Sequence, residues 1–264
     1  MPQQTVLAVC AHPDDIELNM AGTLIRLAQA GFAPHMMNLS HSNLDSNEMQ
    51  EDEVRRMRRR EAEAAAELIG ATYHPPIVDD LMIFYEDRLL RKMSSVVRAV
   101  RPSIVLLPSL NDYMEDHTNT ARLVVTACFS RAMRHYVSDP PRDATDQDVY
   151  LYHAQPHLNH DGMRQRVVPE LIVNIDDVID LKKRMLSCHE SQRQWLDETQ
   201  GLDDYVESML KTSAEVARMS DQDAWQYAEG WRPHSHVGFS ATDLDLLSDV
   251  LANHVSSGKA PGLS

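Results

Sequence analysis

Two short runs, TVLAVCA (5–11) and SIVLLPS (103–109), constrain the fold most, because each is continuously apolar, rich in β-formers and bounded by polar or turn residues. A strand that is apolar at every position is covered on both faces, as in a parallel sheet between two helical layers. The intervening pattern agrees. AGTLIRLAQAG (21–31) has helical spacing and closes on Gly31, and PHMMNLS (34–40) is a second strand candidate. The charged stretch 51–70 predicts a long helix with Val54, Met57, Ala64, Ala65 and Leu68 as its apolar stripe, and 89–102 an amphipathic helix stopped by Pro102. Further on, the pattern predicts a helix over 117–133, strands over 148–154 and 170–175, and one charged helix from Asp180 to about Trp195. Strands alternating with helices of this length predict βαβ units and an α/β fold, with a doubly wound, mostly parallel sheet in three layers, α/β/α. No linker-like tract or repeat interrupts residues 5–250, so a single domain over 1–264 is expected, frayed over about its last ten residues.

The chain has 25 Lys and Arg against 40 Asp and Glu, a formal net charge of −15, which argues against nucleic acid and anionic membranes as partners. Cys10, Cys128 and Cys188 fit neither a disulfide framework nor a Cys-x-x-Cys metal site and read as reduced thiols. No apolar run approaches membrane-spanning length and no signal peptide precedes the first strand, so a cytoplasmic location is expected.

Ligands of doubly wound sheets bind beyond the carboxyl ends of the strands. Two loops fall there, and both are rich in metal-type ligands: His12, Asp14 and Asp15 after the first strand, and Asp112, Asp116 and His117 after SIVLLP. Imidazole with carboxylate and no nearby thiolate suits Zn²⁺ or another first-row divalent ion, and three protein ligands leave the open position of a catalytic site. His12 and Asp15 are spaced to share one side of a turn, with Asp14 directed elsewhere, so one carboxylate can bind metal while its neighbour holds the water.

Plainer readings stand beside these. His-Pro-Asp-Asp also fits a turn whose Asp caps the next helix, and Asp116–His117 an N-cap pair. Asp79–Asp80 reads as the cap of a turn in preference to a site group. His153, His157 and His160 either line a pocket or are ordinary loop histidines. Among Arg55, Arg56, Arg58, Arg59 and Arg60, most are expected on a solvated helix face paired with Glu51, Glu53 and Glu63.

AHPDDIELNMAGTL resembles the signature of the LmbE-like (PIG-L) metal-dependent N-deacetylases, A-H-P-D-D-E followed by Gly-Gly-Thr-Leu, with Ile16-Glu17 and Ala21-Gly22 as departures. Arg58-x-x-Glu61-Ala62 with Ala65-Ala66 and Ile69-Gly70 is similar to the family's R-x-x-E-A helix. PSLNDYMEDHTNT resembles its second metal loop, and KKRMLSCHESQ its K-x-x-x-L-x-x-H-x-S-Q helix. The resemblance spans roughly residues 5 to 195. It implies a Rossmann-like fold, His12, Asp15 and His117 as zinc ligands, Asp14 as the base that activates a metal-held water, and Arg58 as a substrate contact. The implied reaction is hydrolysis of an N-acetyl group on a small molecule, an amino sugar or sugar conjugate, with zinc or a related divalent ion as cofactor and a homo-oligomer, a trimer or hexamer, as the assembly.

Many members carry histidine three positions before the second-loop ligand, to stabilise the oxyanion, and this chain has Met114 there. Tyr113, His189, His234 and His236 are the candidates to replace it, His189 and His234 ahead of the rest, and His157 is a candidate substrate contact. The competing class is a non-catalytic metal- or ligand-binding module on the same fold. Retention of Asp14 argues against it and Met114 argues for it. A nucleotide-binding protein lacks its G-x-G-x-x-G after the first strand. A metal-dependent phosphoesterase stays open, since Asp-rich loops can hold two metals, although the ligand count favours a single ion.

Overall fold

The computed structural model describes residues 3–44, 46, 49–200 and 205–258, the side chains of 197–200 excepted. Strand β1 (Thr5–Cys10) leads through two short helices, α1 (Asp15–Asn19) and α2 (Ala21–Gln29), to β2 (Ala33–Asn38). Helix α3 (Glu51–Glu67) returns the chain to β3 (Thr72–His74), and α4 (Asp87–Val100) to β4 (Ile104–Leu107). Helix α5 (Glu115–Phe129) precedes β5 (Tyr150–Ala154) and β6 (Leu171–Asn174). Three helices come next, α6 (Ile179–Leu186), α7 (Glu190–Gln200) and α8 (Tyr205–Ala217), then β7 (Ala228–Pro233), α9 (Leu246–Val250) and β8 (Val255–Ser257).

All eight strands form one sheet in the order β3-β2-β1-β4-β5-β7-β6-β8. From β3 to β5 the pairing is parallel, whereas β7 runs antiparallel to both β5 and β6, and β8 antiparallel to β6. Side chains of β1 alternate between two cores. Val6, Ala8 and Cys10 pack with Leu24 and Met185 on one face, and Leu7, Val9 and Ala11 with Met93, Val97 and Val124 on the other. This double burial is why the strand is apolar at every position. It also puts the loops after β1 and β4, which are hydrogen-bonded neighbours, side by side at one sheet edge.

Helix α2 is pinned at its start. The backbone N–H groups of Gly22 and Thr23 donate to the Glu229 carboxylate at 2.8 and 2.7 Å, satisfying two donors a helix N-terminus leaves open and placing negative charge at its positive end. Lys182, fully buried, donates to the same carboxylate at 2.5 Å. A Cβ on Gly22 would meet Ile175 Cγ2 at 2.5 Å and Glu229 Oε1 at 2.9 Å, so only glycine allows this approach.

Three expectations are corrected. The stretch from Asp180 to Trp195 is two helices, because the N–H and hydroxyl of Ser191 turn to the Glu61 carboxylate of α3 at 2.9 and 2.5 Å and start α7 afresh. The buried stripe of α3 is Val54, Arg58, Ala62, Ala65 and Ala66, and Ala64 faces solvent. Residues 246–257 of the tail form α9 and β8 and close the sheet, while 259–264 lie outside the described residues. Cys10, Cys128 and Cys188 are free thiols. Among the described residues no helix is long and apolar enough to cross a membrane.

Candidate active site

Beyond β1 the chain turns sharply. Asp14 adopts φ 111°, a left-handed backbone that Asp tolerates better than most non-glycine residues. The twist separates the two adjacent carboxylates. Asp15 folds back, its Oδ2 accepting from the His12 N–H at 2.8 Å, while Asp14 leaves toward α8, where its Oδ2 accepts from the Tyr205 hydroxyl. Neither α1 nor α5 has a side-chain cap at its N-terminus. The acidic residues of both loops are turned to His12, His117 and Tyr205 and not to helix ends.

His12 Nδ1 lies 3.4 Å from Asp15 Oδ2, and His117 Nε2 3.4 Å from Asp15 Oδ1. One ligand atom from each of His12, Asp15 and His117 falls within 4.8 Å of the other two. The opposite ring nitrogens face carboxylates: His117 Nδ1 is 3.0 Å from Asp112 Oδ1, and His12 Nε2 is 3.1 Å from Asp80 Oδ1 and 3.3 Å from Asp116 Oδ2. Such outer carboxylates hold the proton on the far nitrogen and leave the near one as a lone pair. The donor set is buried, mixed imidazole and carboxylate, and convergent, which fits a first-row divalent cation. His12, Asp80 and Asp116 also cluster within 4.8 Å. Their oxygens already accept from the Leu81 N–H, at 3.2 Å for Asp80 and 3.0 Å for Asp116, so this group reads as the support of His12.

The electrostatics derive from burial and crowding. Burial, and then the neighbouring Asp15 charge, raises Asp14 to about 7. Burial also works against ionisation of Asp15, but the charges and hydrogen bonds of His117 and His12 outweigh it and hold Asp15 well below the usual carboxylate range. Burial lowers the affinity of His117 for a proton, yet Asp15 and Asp112 overcome it and raise the ring to about 10. His12 is raised likewise by Asp116, Asp15 and Asp80 against its burial. Two imidazoles that hold protons so firmly must shed them to bind a cation.

Asp14, Asp15, His12 and His117 open onto a cavity of about 350 Å³. Its walls come from the loop after β4 (Tyr113, Met114), from His157 and Leu158, and from α7 and α8 (Gln192, Trp195, Leu196, Tyr205, Ser208). No Lys or Arg lines it among the described residues, and residues 197–204 contain none in sequence. Tyr113 meets His117 edge-on at 5.7 Å and His157 at 5.8 Å between ring centroids.

Of the residues singled out in the sequence, the fold thus gathers His12, Asp14, Asp15, Tyr113, His117 and His157. Arg58 has no exposed surface and does not line the cavity, but its charge acts on Asp14. His189 is buried behind Asp14 with Nε2 3.4 Å from Glu17, and His234 pairs with His153 at 3.0 Å and lines a separate cavity of about 270 Å³. His236 sits 3.2 Å from Asp243, and His160 bonds the Leu158 carbonyl. Asp80 is a correction, for it reaches the site and does more than cap its turn. An apolar run ending in paired carboxylates, PPIVDD, repeats the pattern of the first loop, and that was the available signal. Tyr205 carries none, being a lone aromatic after an acidic segment.

Residues 7–128 match the model of the family described as PIG-L, GlcNAc-PI de-N-acetylase. These residues form a PIG-L (LmbE-like) domain. Both candidate ligand loops of that domain fall inside the matched segment. Over 205 residues the chain is 29% identical to the 4-oxalmesaconate hydratase of Pseudomonas putida, covering 72% of this chain and 75% of that protein. It is 24% identical over 194 residues to the diacetylchitobiose deacetylase of Thermococcus kodakarensis, covering 71% and 69% of the two. The PIG-L domain and the later part of the chain share their fold with the crystal structure of GalB, the 4-carboxy-2-hydroxymuconate hydratase from Pseudomonas putida KT2440. The TM-score is 0.73 at 24% identity, over 92% of this chain and all of the other. The relatives therefore include both amide hydrolysis and hydration.

Proposed function

We propose that this protein is a metal-dependent hydrolase that removes an N-acetyl group from an uncharged small molecule, an amino sugar or sugar conjugate. The observation that carries the reading is Asp14 beside the convergent His12, Asp15 and His117, in a cavity without Lys or Arg among its described walls. His12, Asp15 and His117 would hold the cation, with zinc the ion expected from imidazole and carboxylate ligands. When bound, it supplies Lewis acidity toward the amide carbonyl and the attacking water.

The chain's own groups do the rest. Asp14, poised near neutrality, takes the proton of the water and returns it to the departing amine nitrogen. Tyr113 and His157 face the same space as donors. Partial desolvation and the charges of Asp15 and Asp112 lift the Tyr113 phenol to about 12, and burial lowers the His157 imidazole, so near pH 7 the first keeps its proton and the second is neutral with one N–H. They are assigned the carbonyl oxygen as charge develops on it, the role Met114 cannot fill. Trp195 and Leu196 bound the side where the rest of the substrate lies. One domain, a homo-oligomeric assembly and a cytoplasmic setting complete the proposal.

A second reading, addition of water to a carboxylate substrate, is favoured by the 29% identity to the hydratase. It is placed second because an anionic substrate would find no Lys or Arg among the cavity's described walls. The test is to load the protein with zinc and follow acetate release from a panel of N-acetylated sugars beside absorbance loss from unsaturated dicarboxylates. Acetate and free amine in equal amounts, absent in Asp14→Asn, is the expected result. Water addition without acetate release would transfer the protein to the hydratase reading.

A further inference from the structure

We propose that Tyr205 is a positioning residue, which holds Asp14 by one oxygen so that the other is presented to the reacting water. The inference rests on the reading of Asp14 as the base, whatever the substrate.

A carboxylate used as a base has two equivalent oxygens and a soft terminal torsion, so its effectiveness depends on what fixes its plane. In this protein the fixing group comes from 191 residues away: the Tyr205 hydroxyl donates to Asp14 Oδ2. Tyr205 is itself anchored. Only 4% of it is exposed, and its ring packs with Leu186 and Met209 in a small apolar cluster. Its helix, α8, packs against β6 and β7, so the hydroxyl is referred to the sheet and not to a loop. Burial and the Asp14 charge push the Tyr205 phenol well above its ordinary range, so it serves as a donor throughout the working pH.

The other oxygen is in a different situation. Among the described residues no hydrogen bond is made to Asp14 Oδ1, while Asp14 lines the cavity and Asp15, its neighbour, turns to His12 and His117. A single hydrogen bond at Oδ2 therefore does two things. It lowers the basicity of the oxygen it binds, and it stops the carboxylate from rotating. The arrangement also makes the base depend on helices outside the 7–128 segment, since Tyr205 belongs to the later part of the chain.

The experiment pairs Tyr205→Phe with Asp14→Asn and their double variant. The first readout needs no substrate: a proton NMR spectrum of the zinc-loaded protein, searched downfield for a slowly exchanging hydroxyl proton. That resonance is expected in the wild type and in Met114→Ala, and absent from both Tyr205→Phe and Asp14→Asn. The second readout is turnover of whichever substrate the wild type accepts. Tyr205→Phe should lower kcat roughly 10- to 100-fold with KM and zinc content unchanged, and add nothing in the Asp14→Asn background, since groups acting as one unit are not additive. A resonance that is missing from the wild type or survives in Asp14→Asn would overturn the proposal, as would an unchanged kcat in Tyr205→Phe or an equal further loss in the double variant. If no N-acetyl substrate is turned over while the resonance behaves as expected, the deacetylase reading fails and the Tyr205–Asp14 pair stands.

Discussion

Asp14 and Asp15 are adjacent in sequence and turned to different partners by one backbone angle, the φ of 111° at Asp14. That angle sends Asp15 to the two histidines and Asp14 to Tyr205. The repulsion of neighbouring carboxylates is met differently at each: two imidazoles stabilise one charge, and the other carboxylate keeps a proton affinity near neutrality. Asp14→Asn preserves shape and removes the proposed base, so it is expected to bind zinc as the wild type does and to lose about 100- to 10,000-fold in turnover, the usual contribution of a positioned acid–base group. Metal titrations read beside steady-state rates check both halves. Because His12 and His117 hold protons above their ordinary range among these carboxylates, zinc must displace them, and its apparent affinity is expected to rise with pH between about 6 and 8. Calorimetry in buffers of different ionisation enthalpy reads the released protons directly; an affinity flat across that interval would show that the imidazoles are not the ligands.

At the scale of elements, the site is an edge effect of β1 and β4 lying next to each other. Helix α2 is set behind it by the Glu229 carboxylate, which receives Gly22, Thr23 and Lys182 at once. Glu229→Ala strands a fully buried ammonium and two amide donors, and is expected to cost about 3–5 kcal/mol in chemical denaturation. Adding Lys182→Met should return a large part of that loss, because the unpaired charge goes with it. The parallel half of the sheet was legible in the sequence because doubly buried strands such as Val6–Cys10 and Ile104–Leu107 are apolar throughout, and both ligand loops could be placed from the ends of those strands. The antiparallel end was not. AEGWRP of β7 contains Glu229, buried because it caps α2 and pairs with Lys182, and Gly230, where a Cβ would meet Gln155 and Pro169 at 2.8 Å. The break between α6 and α7 depends on a partner in α3, and the Tyr205–Asp14 contact on the closure of the whole fold. Local pattern carries none of these.

For the molecule as a whole, acid stability is tied to histidines buried in neutral form. His153 donates toward the Pro108 carbonyl at 2.8 Å and meets His234 at 3.0 Å, and burial lowers it to about 4. Between the unfolded value near 6.5 and that folded value the unfolded chain binds the extra proton, so stability falls as pH drops through this window and is unaffected above it. Equilibrium denaturation from pH 7.5 to 4 should show a loss on the order of 3 kcal/mol from this group. His153→Gln, measured in parallel, should flatten the slope, and an identical slope would assign the acid sensitivity elsewhere. The proposed function depends above all on two loops, about a hundred residues apart in sequence, forming one cation site. Elemental analysis of purified protein reads this directly, with the wild type, Asp14→Asn and His117→Ala each dialysed after addition of zinc. About one first-row metal per chain is expected in the wild type and in Asp14→Asn, and none in His117→Ala. No metal in the wild type, or an equal content in His117→Ala, would mean that the two loops do not share an ion.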